Sequence, residues 1–167
     1  GIWMNTQRPE WNDANNALAG NGLSMVTLCY LRRYVQFLLD LLKPNADRTT
    51  RISRQVLDWL NQTGAALLKH SDLLRLPRVD DNGRRRLMDD LGQAFDCYRR
   101  AVYVGGFTGQ ASCPIAEILP MLRLSLSYLD YSIVANRRPD GLYHSYNILR
   151  LANGGQASVE TLALMLE

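Results

Sequence analysis

The chain has 167 residues, 47% hydrophobic and 21% charged, with a formal net charge of +3, a balance that suits one globular domain large enough to bury a core. Its apolar runs are broken by Arg, Asp or Gln well short of the roughly 18 residues a bilayer span requires, so a membrane partner is not expected. The positive charge is dispersed: Arg84-Arg85-Arg86 precedes Asp89, Asp90 and Asp96 and has no interleaved aromatics for base stacking, which reads as a solvated helical face and not a nucleic-acid surface.

The three cysteines, Cys29, Cys97 and Cys113, form no CxxC pair and have no clustered histidines beside them, so they read as reduced thiols in a cytoplasmic protein. Only His70 and His144 are present, and no metal site is expected. Gly1-Ile2-Trp3-Met4 lacks the basic-then-apolar order of a secretory signal. The ending Leu162-Ala163-Leu164-Met165-Leu166-Glu167 stops inside an apolar pattern, and the expectation is a fragment of a larger catalytic domain.

Toward the N-terminus, Leu23 to Leu42 predicts a helix apolar nearly all round except for a stripe through Arg32, Arg33, Gln36 and Asp40, and therefore buried on most sides. Asn21 or Ser24 suits its cap and Pro44 its stop. Arg48 to His70 predicts an amphipathic covering helix with Ile52, Val56, Trp59, Leu60, Thr63 and Leu67 on one side. After Pro77 and the turn-prone Asp80-Asp81-Asn82-Gly83, a third helix carries Leu87, Leu91, Phe95, Tyr98 and Val102 at helical spacing and ends at Gly105-Gly106. A fourth begins near Ser112, takes Pro114 in its first turn and reaches Arg137 and Arg138, with Pro120 expected to delay its regular part. Pro139-Asp140-Gly141 makes a turn, Leu142 to Leu151 an aromatic-rich connector compatible with extended backbone, and Ser158 the start of a last helix with Glu160 in its first turn. The fold class expected is all-α, with helical hairpins in two layers over residues 1–167.

Two clusters could carry chemistry. Arg8-Pro9-Glu10-Trp11-Asn12-Asp13-Ala14-Asn15-Asn16 gathers carboxylates, amides and an indole, the groups that pair with sugar hydroxyls and stack on a pyranose face, and a carboxyl group is what protonates a glycosidic leaving oxygen. The plainer reading is an Asx-rich loop capping a helix. The second cluster, Asn136 to Asn147, holds Asp140, Tyr143 and His144 and suits a substrate-lining loop; its plainer reading is a turn with buried aromatics. Ser145 beside His144 is not a triad, because adjacency says nothing of geometry.

Trp11-Asn12-Asp13-Ala14-Asn15-Asn16 resembles the Trp-Asn-Asp-Gly-Met-Asn segment of cellobiose phosphorylases and related enzymes of the six-hairpin, (α/α)6-toroid glycosidase group. The resemblance implies Asp13 as general acid, Glu10 in the place of an acidic residue that binds sugar hydroxyls, and Trp11 and Asn12 as substrate neighbours. It also implies that the chain is a segment of a toroid, with a carbohydrate substrate, phosphate as an optional co-substrate, the remaining parent segments as partners and no cofactor. Ala14 and Asn15 depart from the pattern, and hydrolysis and phosphorolysis both stay open. Apolar surface left by absent hairpins also offers a route to homodimers. The competing reading is a non-catalytic helical binding module in which Asp13 is only a helix cap.

Overall fold

The computed structural model describes residues 2–3, 22–151 and 157–161, with side chains from Ser24 to Asn147. Among the described residues the fold is mainly helical. The elements are β1 (Ile2–Trp3), β2 (Gly22–Ser24), α1 (Met25–Leu42), β3 (Thr49–Ser53), α2 (Arg54–Lys69), α3 (Asp81–Gly105), β4 (Gln110–Pro114), α4 (Ile115–Ala135), β5 (Tyr146–Leu151) and β6 (Ala157–Thr161). No described helix is long and apolar enough to cross a membrane. Two compact units are formed, one from residues 1–33 and 129–167 and the other from 34–128.

In the first unit, β1, β2, β5 and β6 make an antiparallel sheet in that order. Ser24 ends β2 opposite Tyr146 and starts α1, its Oγ accepting from the Thr27 amide at 3.2 Å. That is an N-cap bond to the third residue of the helix, and it satisfies a donor the helix itself cannot. Strand β5 is the extended part of the expected connector, and β6 replaces the last helix expected from Ser158. Ser158-Val159-Glu160-Thr161 alternates polar and apolar positions. Pairing with β5 outweighed the weak helical pattern.

Helix α1 matches its expected limits, with Pro44 in the 3-10 turn Lys43–Asn45 that follows it. Its burial differs from the expectation. Met25, Leu28 and Val35 are buried, whereas Tyr30, Tyr34, Phe37 and Leu41 are more than half exposed, so an apolar stripe at helical spacing faces outward.

The second unit is built on a helical hairpin. Trp59 of α2 stacks on Tyr98 of α3 at 5.3 Å between ring centroids and meets Phe95 edge-on at 6.0 Å, while the C-terminal end of α2 reaches Asp90 near the start of α3, so the two helices run antiparallel. Aromatic pairs in these geometries contribute about 0.5–1.5 kcal/mol beyond area burial. Tyr128 of α4 donates its hydroxyl to the Leu67 carbonyl at 2.8 Å. Asp80 caps α3 by accepting from the Gly83 amide at 2.7 Å, and Gly106 closes it at φ +66°, a conformation suited to glycine.

Two boundaries differ from the sequence reading. Thr49–Ser53 pairs antiparallel with Gln110–Pro114, so α2 starts at Arg54 and α4 at Ile115. Thr49, Thr50 and Ile52 are β-branched and favour the pleated conformation. Pro120 lies inside α4 without displacing its start. Its missing N–H would have met the Ala116 carbonyl in the first turn, and both residues are exposed.

Candidate functional site

The turn after α4 is tied together link by link. Arg138 N donates to Leu142 O at 2.7 Å, Gly141 N to Arg138 O at 3.0 Å, and His144 N to Asn136 O at 3.1 Å. Gly141 sits at φ +86°, which explains a glycine there. Asn147, buried at the start of β5, donates its Nδ2 to Asn136 Oδ1 at 2.8 Å, and Asn136 in turn donates to the Ser132 carbonyl at 2.7 Å. Met25 N donates to Ser145 O at 2.9 Å, which joins the end of this turn to the start of α1.

The junction leaves an open concavity of about 510 Å³ between the first two turns of α1 and the segment Gly141–Ser145, within the usual range of small-molecule sites, about 300–1,000 Å³. Met25, Val26, Cys29, Tyr30 and Arg33 line it from the helix, and Tyr143 and His144 from the turn. Tyr30 and Tyr143 are 63% and 43% exposed, so both rings can offer contact to a ligand. Arg33 places its guanidinium 5.9 Å from the centre of the Tyr30 ring, a cation–π distance.

The neighbouring Arg32 is differently occupied, its Nε donating to Asp130 Oδ1 at 2.8 Å and its Nη2 to Oδ2 at 3.4 Å. That bond and the carboxylate charge raise the Arg32 pKa further. The pair ties α1 to α4.

The sequence-predicted residues divide. Tyr143 and His144 line the concavity. Asp140 does not: its Oδ1 accepts from the Leu142 amide at 3.1 Å and its Oδ2 pairs with Arg138 at 2.7 Å, so both oxygens hold the turn. Glu10, Trp11, Asn12 and Asp13 lie outside the described residues. Tyr30 and Arg33 were not singled out as site residues by sequence reasoning. Their signal is an aromatic and a cation one turn apart at the start of a helix, which becomes meaningful only once the turn is packed against it.

A second, wholly polar depression of about 410 Å³ in the other unit is lined by Lys69, His70, Asp72, Arg86, Asp89 and Asp90. Asp90 Oδ2 accepts from Lys69 at 2.8 Å and lies 2.6 Å from His70 Nε2, and these hydrogen bonds hold its carboxyl below the usual carboxylate range. Three basic side chains face three carboxylates, which favours a structural network joining α2 to α3. Among the described residues no group of three His, Cys, Asp or Glu is arranged to hold a metal ion. Burial raises the Cys113 thiol pKa, whereas Cys29 and Cys97 are exposed.

No protein-family model matches the chain, and no curated protein matches it either.

Proposed function

We propose that this chain is a segment of an (α/α)6-toroid enzyme that cleaves glycosidic bonds, with Asp13 as the general acid. The observation that carries the reading is the run Glu10-Trp11-Asn12-Asp13-Ala14-Asn15-Asn16, a concentration of sugar-binding groups around one carboxyl. It is supported by a concavity with two exposed tyrosines where β2 passes into α1, the next described elements along the chain. The antiparallel α2–α3 hairpin is the kind of unit from which helical toroids are assembled.

In the reaction, the protonated Asp13 carboxyl gives its proton to the glycosidic oxygen as the bond from that oxygen to the anomeric carbon breaks. The bonding electron pair leaves with the oxygen, which becomes a free hydroxyl. In hydrolysis a water forms the new bond to the anomeric carbon and yields a proton to a carboxylate base. In phosphorolysis a phosphate oxygen forms that bond and the product is a sugar 1-phosphate, with no protein base needed. Asp140 is committed to its turn, so a hydrolytic base would come from Glu10 or from the remaining segments of the parent chain, whereas phosphate attack needs none. The Asp13 carboxylate then regains its proton from solvent.

The test is sugar release from a panel of di- and oligosaccharides, with and without inorganic phosphate, by the longest natural form of the protein and by its Asp13→Asn variant. Release that is lost in the variant supports the assignment, and dependence on phosphate identifies phosphorolysis. Equal release by both proteins removes Asp13 as the general acid, and none from the folded protein argues for a binding module instead.

A further inference from the structure

The concavity beside α1 has an electrostatic asymmetry. Arg33 makes no ion pair among the described residues, in contrast to Arg32, which Asp130 neutralises. No Asp or Glu is among the lining residues, and Asp140 nearby in sequence is spent on Arg138. The site therefore carries one unneutralised guanidinium at its wall, next to an aromatic ring.

His144 supplies a second donor. Its Nδ1 is sealed from solvent with no hydrogen-bond partner, while Nε2 is neither sealed nor bonded among the described residues. A buried N–H without an acceptor loses its full hydration, so the proton is better placed on Nε2. In that tautomer the ring offers its Nε2–H to an acceptor in the concavity.

One planar cation, one imidazole N–H and two exposed tyrosine rings describe a particular kind of ligand. A guanidinium matches a carboxylate through two parallel hydrogen bonds, and a single positive charge balances a single negative one. A dianionic phosphate would be left half neutralised. The tyrosines suit the apolar face of a sugar ring. Building on the glycosidic-bond reading, we infer that this concavity is a subsite for an acidic sugar, a uronic-acid residue whose carboxylate lies on Arg33. The Nε2–H of His144 donates to an oxygen of the same sugar, and the sugar ring rests against Tyr143.

Calorimetric titration of the full chain with glucuronate, glucose and inorganic phosphate as separate probes tests this. Glucuronate is expected to bind about ten-fold or more tightly than glucose, and Arg33→Gln to remove that preference. Arg33→Lys should restore part of it, since the charge returns without the paired geometry. Because Arg33 is exposed and unpaired among the described residues, the variants are expected to unfold at the wild-type temperature. Equal binding of glucuronate and glucose, or a preference that survives Arg33→Gln, overturns the inference, as does phosphate binding tighter than that of glucuronate and abolished by Arg33→Gln. The two readings fail separately. Cleavage of neutral glycosides without glucuronate binding removes the acidic-sugar subsite alone, and glucuronate binding without cleavage of any glycoside removes the enzyme reading alone.

Discussion

Replacing Asn147 by Asp changes one donor into an acceptor at nearly constant shape, at the bond that closes the turn carrying Tyr143 and His144. Asn147 is 6% exposed and donates to Asn136 Oδ1 at 2.8 Å. The wild-type bond contributes about 1 kcal/mol net, and leaving the Asn136 oxygen unpaired adds about 1–3 kcal/mol. The introduced carboxylate, when ionised, would also lose hydration, so Asn147→Asp should cost about 3 kcal/mol at pH 7, against about 2 kcal/mol for Asn147→Ala. For a chain of this size that is a fall in Tm of roughly 6–12 °C for the Asp variant.

The pH dependence has a definite sign. Only the protonated acid can donate to Asn136, so the folded-state pKa of the introduced carboxyl rises above its unfolded value of about 3.9. Its stabilisation is complete below that unfolded value and is lost as pH rises through the folded one. Thermal unfolding followed by circular dichroism should therefore show the gap to wild type narrowing as pH is lowered from 7 to about 4, while the Ala variant keeps a constant gap. An Asp variant as stable as the Ala variant at pH 7, with no narrowing on acidification, would refute the role given to this bond.

Other bonds and packing contacts set the remaining outcomes. The Asp90 carboxyl titrates below its unfolded value because Lys69 and His70 donate to it, so its contribution is present above a pH of about 3.9 and lost as pH falls through the lower folded value; Asp90→Asn should flatten acid unfolding in that window. Tyr128→Phe removes the hydroxyl bonded to the Leu67 carbonyl and should cost about 1 kcal/mol in a urea titration. Trp59→Ala, which empties the stack on Phe95 and Tyr98, should cost about 3 kcal/mol in the same titration. A thiol reagent should modify Cys29 and Cys97 rapidly in the native protein and Cys113, 1% exposed, only on unfolding.

Local chemistry explains which elements were legible. The limits of α1 follow from Ser24 and Pro44, the end of α3 from Gly106, and the turn at Pro139-Asp140-Gly141 from its residue types, whereas Asp80-Asp81-Asn82-Gly83, expected as a turn before α3, caps and opens that helix. The strands were missed because their evidence lies far away in the chain. Thr49–Ser53 continues a plausible helical spacing until it is paired with Gln110–Pro114, and Ala157–Thr161 resembles a helix start until β5 stands beside it. The outward stripe on α1 was unreadable for a related reason, since apolarity marks a face that can be covered without saying what covers it. Half of the concavity was visible as Tyr143 and His144. Tyr30 and Arg33 became its other wall through the Met25–Ser145 hydrogen bond, a contact no local pattern encodes.

Asp13 is assigned the task of protonating a leaving oxygen, and leaving-group dependence separates that task from binding or positioning. The chain and its Asp13→Asn variant should be compared on aryl glycosides whose phenols range from good to poor leaving groups. A general-acid role predicts a variant that retains cleavage of the most acidic phenol and loses that of the least acidic by about 100-fold or more. Equal loss across the series, or no loss anywhere, would contradict it.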